Sequence, residues 1–109
     1  MKVAVIGSRN ICNVELEKYI PAEACEIVSG GAKGVDKLAE DYAKAHGIPF
    51  TVFLPEYNRF GRGAPLKRNE QIVDYADTVI AFWDGKSRGT KYTIEYCRKV
   101  RKSVFVHVI

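Results

Sequence analysis

Apolar and polar residues follow two different periods along the chain, and the change of period predicts its secondary structure. Five short apolar or β-branched runs are typical of buried strands. Between them, apolar positions recur at helical spacing in four longer stretches. The predicted strands span residues 2–6, 26–29, 49–54, 78–83 and 103–109, and the predicted helices span residues 14–20, 35–46, 70–76 and 90–101.

The regular alternation of strand and helix predicts the fold class, because right-handed crossovers between neighbouring strands give a parallel sheet covered on both faces. We therefore expect one α/β domain over residues 1–109. Its architecture is a Rossmann-like, doubly wound sheet of five mainly parallel strands in the order 3-2-1-4-5, with helices on both faces. The reversal of order between strands 1 and 4 predicts a ligand crevice at the carboxyl ends of the strands.

A glycine-rich turn at residues 29–36, Ser-Gly-Gly-Ala-Lys-Gly-Val-Asp, joins the second predicted strand to the helix that follows it. Glycine lets the backbone approach a bound group closely, and the first turn of a helix offers unpaired amides at the positive end of its dipole. These features suit a phosphate cradle. They suit a simple tight turn equally well, and the motif alone leaves both interpretations open.

Two other connections fall on the same predicted edge of the sheet. Residues 84–89, Asp-Gly-Lys-Ser-Arg-Gly, form a second glycine-bearing loop before the last helix. Residues 55–69 separate a strand from the next confident helix by fifteen positions. Connections of this kind usually have about 2–6 residues, and longer ones are more often functional or disordered.

Basic residues are concentrated on the four connections at this edge, residues 7–13, 29–36, 55–69 and 84–91. These connections hold nine of the 17 Lys and Arg residues but three of the 13 Asp and Glu residues, a net charge of +6, while the rest of the chain carries −2. A basic rim around two glycine turns indicates a ligand that bears phosphate. The basic residues are Arg9, Lys33, Arg59, Arg62, Lys67, Arg68, Lys86, Arg88 and Lys91. Tyr57, Phe60 and Trp83 lie on or beside this edge, where an aromatic ring stacks on a base, although core packing is the commoner role for Trp83.

Other chemistry is not indicated. The chain has no Walker A motif, no dinucleotide-binding fingerprint and no cluster with metal-ligand spacing, so we predict neither a cofactor nor a metal. Neither histidine falls on the functional edge, and His107 is predicted at an edge or facing outward. The three cysteines lack paired spacing and are expected to be buried free thiols. The opening apolar run is too short for a signal peptide or a membrane span, so we expect a cytoplasmic protein without membrane contact.

Several motifs together resemble the SLOG superfamily, the Rossmann-like domains related to the Lonely Guy enzymes and to the DNA-processing protein DprA. The first two are residues 3–9 (VAVIGSR) and 29–36 (SGGAKGVD). Three later segments are similar to the small YspA/YpsA-related group within it: residues 65–69 (PLKRN), 76–85 (ADTVIAFWDG) and 87–90 (SRGT). The resemblance implies a pocket for a nucleotide or nucleotide-derived ligand between the two glycine loops.

Carried over position by position, the resemblance implies ligand-binding residues on four segments: Gly7, Ser8 and Arg9; Gly30, Gly31, Gly34 and Asp36; Arg68 and Asn69; and Gly89 and Thr90. We add Lys33, whose charge would offset a phosphate, and Trp83 or Tyr57, either of which would stack a base. Dimerisation through helices, as in relatives, is expected from the same resemblance.

The chain departs from the Lonely Guy phosphoribohydrolases at one informative point. Their motif P-G-G-x-G-T-x-x-E ends in a catalytic glutamate, and Thr93 occupies that position here. Glu95 lies two residues further on, about 200° around the helix. The carboxylates left as candidates for catalysis are Asp36 and Glu95.

Three functions therefore stay open. The first is binding or sensing of a nucleotide-like small molecule, and the second is hydrolysis of the N-glycosidic bond of a nucleoside monophosphate. The third is DprA-like binding of single-stranded nucleic acid, for which the +6 edge and its aromatic residues argue.

Overall fold

Five strands and four helices account for most of the chain, all 109 residues of which are described by the computed structural model. The strands are β1 (Lys2–Gly7), β2 (Glu26–Ser29), β3 (Phe50–Val52), β4 (Thr78–Trp83) and β5 (Ser103–Val108). The helices are α1 (Val35–Ala45), α2 (Tyr57–Phe60), α3 (Ala64–Tyr75) and α4 (Arg88–Lys99).

The strands form one sheet in the order β3-β2-β1-β4-β5, and every neighbouring pair is parallel. The predicted α/β fold and strand order are therefore confirmed. The order reverses beside β1, where Val3 lies opposite Ile27 of β2 on one side and Thr78 of β4 on the other. The carboxyl ends of β1 and β4 consequently diverge into separate connections, which is the geometry that opens a crevice in such sheets.

Each face of the sheet carries its own apolar core, because successive strand residues point to opposite faces. Val3 and Val5 of β1 lie on one face, which packs against α1. Ala4 and Ile6 lie on the other face, which packs against α3 and α4. Helices therefore cover both faces, as predicted.

The prediction of a first helix over residues 14–20 is wrong. Only a single 3-10 turn, Leu16–Lys18, forms between Asn13 and Pro21, and Asn13 does not cap it. So short a segment gains few helical hydrogen bonds against the cost of nucleation. One turn is nevertheless enough to bury Leu16 and Ile20 against the α1 face of the sheet.

The long connection at residues 55–69 is mostly helical, which also corrects the prediction. It contains α2, a 3-10 turn at Gly61–Gly63, and the first turns of α3, which begins at Ala64. Pro65 at the start of α3 fits this early beginning, because proline is tolerated in the first turn, where its missing N–H is not needed.

Two of the three thiols depart from expectation. Cys12 and Cys25 are exposed rather than buried, and Cys97 alone lies in the core, where burial raises the pKa of its thiol to about 11. His107 lies on the edge strand β5, which confirms the first of its two predicted placements, and its ring contacts Tyr19 and Phe82 at centroid distances of 4.5 and 5.4 Å. None of the helices is long and apolar enough to cross a membrane.

Candidate functional site

A cleft of about 400 Å³ opens at the carboxyl edge of the sheet, where the order of the strands reverses. Four connections meet around it: those after β1, β2 and β4, together with the beginning of α3. Most of its 18 lining residues are polar, and Ile6, Ala32, Pro65, Leu66 and Ile72 supply the apolar part. The two glycine loops therefore converge on one cavity, as the sequence predicts.

The first glycine loop is packed against a buried arginine. The Arg68 side chain reaches from α3 and donates hydrogen bonds from Nη1 to the Gly30 carbonyl at 2.7 Å and from Nε to Asn69 Oδ1 at 2.8 Å. A Cβ at Gly30 would lie 2.6 Å from Arg68 Nη1. A side chain at position 30 would therefore displace the guanidinium group of Arg68, a residue that is only 8% exposed.

Gly34 is required by the connection after β1, which crosses directly over it. A Cβ there would lie 2.5 Å from the Arg9 carbonyl oxygen and 2.9 Å from the Ile11 carbonyl oxygen. The φ of Gly34 is also +73°, a region that side chains with a Cβ rarely adopt. The connections after β1 and β2 are thus pressed together at this point, at the N-terminal end of α1.

Asp36 is a buried carboxylate in the wall of the cleft, on the first turn of α1. It accepts a hydrogen bond from the Ala32 amide at 3.0 Å. Burial raises the pKa of this carboxyl, and the Ala32 hydrogen bond and the Arg68 charge oppose that rise. Burial likewise lowers the pKa of Arg68, against the pull of Asp36. The two buried charges therefore depend on each other.

The second glycine loop is open toward the cleft. No atom lies within 4 Å of a Cβ placed at Gly89, which lines the cleft next to Thr90 at the start of α4. The amides of Arg88, Gly89 and Thr90 have no acceptor in the protein, because the first intrahelical bond runs from the Lys91 amide to the Ser87 carbonyl. This helix end can therefore receive an anion.

Asp84 holds the second loop in shape. Its carboxylate accepts hydrogen bonds from the amides of Lys86 and Ser87, both at 2.8 Å, and from the Ser87 hydroxyl at 3.0 Å. These bonds lower the pKa of Asp84 to about 2. The Asp84 amide donates to the Ser8 hydroxyl at 3.2 Å, which ties this loop to the connection after β1.

Trp83 does not line the cleft, where stacking on a base was one of its two predicted roles. Its Nε1 donates to the Ser87 carbonyl at 3.1 Å, and Trp83 is not among the residues that line the cavity. Its role in this structure is to support the loop that precedes α4. Tyr57 also lies outside the cleft lining and is 60% exposed on α2.

Nine of the predicted site residues line the cleft, and six do not. Those brought together are Gly7, Ser8, Arg9, Gly30, Asp36, Arg68, Asn69, Gly89 and Thr90. Those outside the lining are Gly31, Lys33, Gly34, Tyr57, Trp83 and Glu95. Of the nine basic residues on the predicted rim, only Arg9 and Arg68 reach the cavity, so most of the +6 charge lies on the outer surface of this edge.

Thr93, which occupies the position of the catalytic glutamate of the Lonely Guy phosphoribohydrolases, is part of the cleft. It is 1% exposed, lines the cleft, and donates a hydrogen bond from its hydroxyl to the Gly89 carbonyl at 2.9 Å. Glu95 is exposed on another side of α4 and does not line the cavity. The carboxylates that do line the cleft are Asp36 and Asp84.

Other lining residues were missed by the sequence reasoning: Ile6, Asn10, Ala32, Pro65, Leu66, Ile72, Asp84, Ser87 and Thr93. The sequence carries a signal for Asp84. An Asp at the start of a glycine-bearing loop is typical of an Asx turn, in which its carboxylate accepts hydrogen bonds from backbone amides two or three residues further on. No group of three or more His, Cys, Asp or Glu side chains is arranged to hold a metal ion.

Comparison with known proteins identifies the family. The model of the YspA, cpYpsA-related SLOG family matches residues 1–60, which include β1, the first glycine loop, α1 and α2. No curated protein and no solved structure matches the chain. The match covers more than half of the chain and contains the loop that carries Gly30, Gly34 and Asp36. The chain belongs to the YspA, cpYpsA-related SLOG family.

Proposed function

We propose that the cleft binds a nucleotide or a nucleotide-derived small molecule, with its phosphate at the start of α4. The observation that carries this proposal is the open first turn of α4, where the amides of Gly89 and Thr90 border the cavity without acceptors in the protein. Membership of a SLOG family supports the same class of ligand.

Arg9 is the side chain best placed to add charge to this phosphate site. It lines the cleft, it is exposed, and it forms no ion pair within the protein. Arg68 differs, because its guanidinium group is buried and already donates to Gly30 and Asn69. Arg9 therefore contributes directly to ligand affinity, and Arg68 acts by holding the wall of the cleft.

The apolar part of the lining suits the less polar part of a nucleotide. Pro65 and Leu66 begin α3 at the cleft, and Ile6 and Ile72 also line it. A ligand with an anionic end and a flat apolar end matches this division of the cavity. A volume of about 400 Å³ is within the range of small-molecule pockets. It is at the lower end of that range, which favours a mononucleotide over a dinucleotide.

Calorimetric titration with the four common nucleoside monophosphates, the matching nucleosides and inorganic phosphate tests this proposal. We expect at least one monophosphate to bind, and its nucleoside to bind at least tenfold more weakly. Arg9→Ala should weaken the monophosphate about tenfold, which corresponds to about 1.4 kcal/mol. Lys33→Ala is the matched control, because Lys33 is an exposed cation near the first glycine loop but outside the cleft lining.

The outcomes separate the alternatives. Equal weakening by Arg9→Ala and Lys33→Ala would mean that only the overall charge of this edge matters. Binding of a single-stranded oligonucleotide with steep salt dependence, in the absence of monophosphate binding, would favour the nucleic-acid function instead. No binding of any probe would contradict the proposal.

Hydrolysis of an N-glycosidic bond is the second candidate function, and the burial of Asp36 in the cleft wall favours it. Burial raises the pKa of this carboxyl within the cleft wall, which is a property of general acids. Release of free base and ribose 5-phosphate from nucleoside monophosphates, followed by chromatography, tests it. Asp36→Asn should abolish release while binding persists, and absence of release by the unmodified protein would exclude this function.

A further inference from the structure

The two edges of the sheet differ in how well they are protected. β3 has only three residues, Phe50–Val52, and lies between Pro49 and Pro55. β5 has six residues, Ser103–Val108, and contains no proline, lysine, arginine, aspartate or glutamate. Edge strands are usually kept from pairing with other chains by shortness, proline or charge. β3 is protected in this way, and β5 is not.

The backbone of β5 presents a regular set of free groups along this edge. The Ile109 amide donates to the Trp83 carbonyl of β4 at 2.8 Å, so the odd-numbered residues of β5 direct their backbone groups toward β4. Since backbone direction alternates along a strand, the even-numbered residues direct theirs outward. The N–H and C=O groups of Val104, Val106 and Val108 therefore have no neighbouring strand.

The side chains on this edge are also apolar and poorly covered. Phe105 is 57% exposed, Val108 is 67% exposed and Ile109 is 59% exposed. On the face that carries Phe105, the first predicted helix is reduced to the Leu16–Lys18 turn, so α1 is the only helix packed on that face. A strand with free backbone groups and exposed apolar side chains is suited to pairing with another strand.

In place of the helix-mediated dimer that the resemblance implies, we propose that β5 pairs with β5 of a second copy, antiparallel, about a two-fold axis at Val106. In this register Val106 lies opposite Val106 of the other copy, and Val104 lies opposite Val108. All three outward-facing residues then form hydrogen-bonded pairs, with about six hydrogen bonds across the axis. The result is a continuous sheet of about ten strands, and Phe105 of each copy lies beside His107 of the other.

The distribution of charge favours a second copy of this chain as the partner of β5, and antiparallel over parallel pairing. The cations nearest the strand are Arg101 and Lys102, at its beginning. Antiparallel pairing places the cations of the two copies at opposite ends of the paired strands, so like charges do not meet. Parallel pairing would align Lys102 with Lys102, which is destabilising. A strand with no charge of its own offers no complementary contact to an acidic or basic partner, whereas it complements itself.

A strand pair of this length is smaller than the interfaces of tight complexes, which bury about 800 Å² on each partner. We therefore expect a dimer that dissociates at about micromolar concentration. In sedimentation equilibrium, the mass should rise from one 12.2 kDa chain toward twice that value as the concentration passes through this range.

Charged substitutions on the two edges test the location. Phe105→Lys and Val108→Lys place cations on the exposed part of β5 and should shift the dissociation constant at least tenfold toward monomer. Val52→Lys is the matched control on β3, where the replaced valine is 41% exposed, and it should leave the mass unchanged. A monomer at every concentration would overturn the proposal, and so would a dimer that both β5 substitutions leave intact.

Disulfide trapping tests the register independently of affinity. In a Cys12→Ser, Cys25→Ser background, Val106→Cys should form a disulfide-linked dimer on mild oxidation, because residues on the axis face their own copies within disulfide range. Val104→Cys should not, since the two copies of residue 104 would lie roughly 13 Å apart along the strands. Linking of residue 104 without residue 106 would overturn this register.

Discussion

The two glycine loops occupy corresponding places at the carboxyl edge of the sheet, yet they are built for opposite purposes. In the first, a Cβ at Gly30 would strike Arg68 and a Cβ at Gly34 would strike the carbonyls of Arg9 and Ile11. In the second, a Cβ at Gly89 would meet nothing within 4 Å. The first loop has glycines because the protein itself fills the space beside them, whereas the second leaves open the space in which we propose that the phosphate of the ligand lies.

This difference divides the roles of fold and binding between the loops. The first loop is a packing junction that joins the connection after β1 to α1 and α3. The second is a helix end whose shape depends on Asp84 and to which we assign the phosphate of the ligand. Substitutions in the first loop should therefore affect stability before binding, and those in the second should affect binding with little loss of stability.

Gly34→Ala should have the largest effect on the fold. The added Cβ would overlap the Arg9 carbonyl, and the φ of +73° would strain any residue that has a Cβ. Overpacking and backbone strain each cost about 1–3 kcal/mol, so we expect a loss of about 4 kcal/mol in the free energy of unfolding. Urea denaturation measures it, and a loss below about 1 kcal/mol would show that the two connections are not pressed together.

Arg68→Met should be the next most damaging change. It removes the donor to the Gly30 carbonyl and leaves the buried Asp36 carboxylate without its neighbouring cation. Leaving the Gly30 carbonyl without its donor costs about 1–3 kcal/mol, and the loss of the charge near Asp36 adds to this cost. Asp36→Asn added to Arg68→Met should restore part of the loss in urea denaturation, because the uncompensated charge is then gone. A double variant less stable than the single one would contradict the coupling of these two residues.

Asp36→Asn alone should change how stability depends on pH. Because the folded pKa of Asp36 is raised, the native state holds its proton to a higher pH than the unfolded state does. The contribution of Asp36 to stability therefore falls as pH rises from the unfolded pKa, about 3.9, through the raised folded value. Thermal unfolding across this window should show that decline in the unmodified protein and a smaller one in the variant. Identical pH profiles would refute the raised pKa.

Gly89→Ala should have the smallest effect on the fold and a clear effect on the ligand. Alanine favours helix over glycine, so the free energy of unfolding should stay the same or rise by up to about 1 kcal/mol. The new methyl group would stand over the amides that we assign to the phosphate, and the affinity for a bound monophosphate should fall about tenfold. Unchanged affinity would place the phosphate elsewhere in the cleft.

The sequence predicts the fold well because the apolar runs and their spacing carry the information directly. Five strands in the order 3-2-1-4-5 follow from strand–helix alternation, and the convergence of the glycine loops follows from that order. Short elements are harder to predict. The Leu16–Lys18 turn has apolar residues at helical spacing, but the segment is too short to form a full helix.

The sequence predicts which residues lie at the cleft better than it predicts what each side chain does there. Arg68 belongs to the cleft, yet no pattern in the sequence reveals that its guanidinium group binds the Gly30 carbonyl 38 residues away. Trp83 ends a strand beside the cleft, but its direction depends on the hydrogen bond to Ser87. Roles of this kind depend on side-chain hydrogen bonds, local or distant, which the pattern of apolar and polar residues does not encode.

A titration of isotope-labelled protein with a nucleoside monophosphate, followed amide by amide in NMR spectra, tests the central claim most directly. We predict that the largest shifts fall on the amides of Gly89 and Thr90 and on Arg9, with smaller changes around Gly30. Shifts confined to other surfaces, or none at millimolar nucleotide, would contradict the assignment of this cleft to a phosphate-bearing ligand.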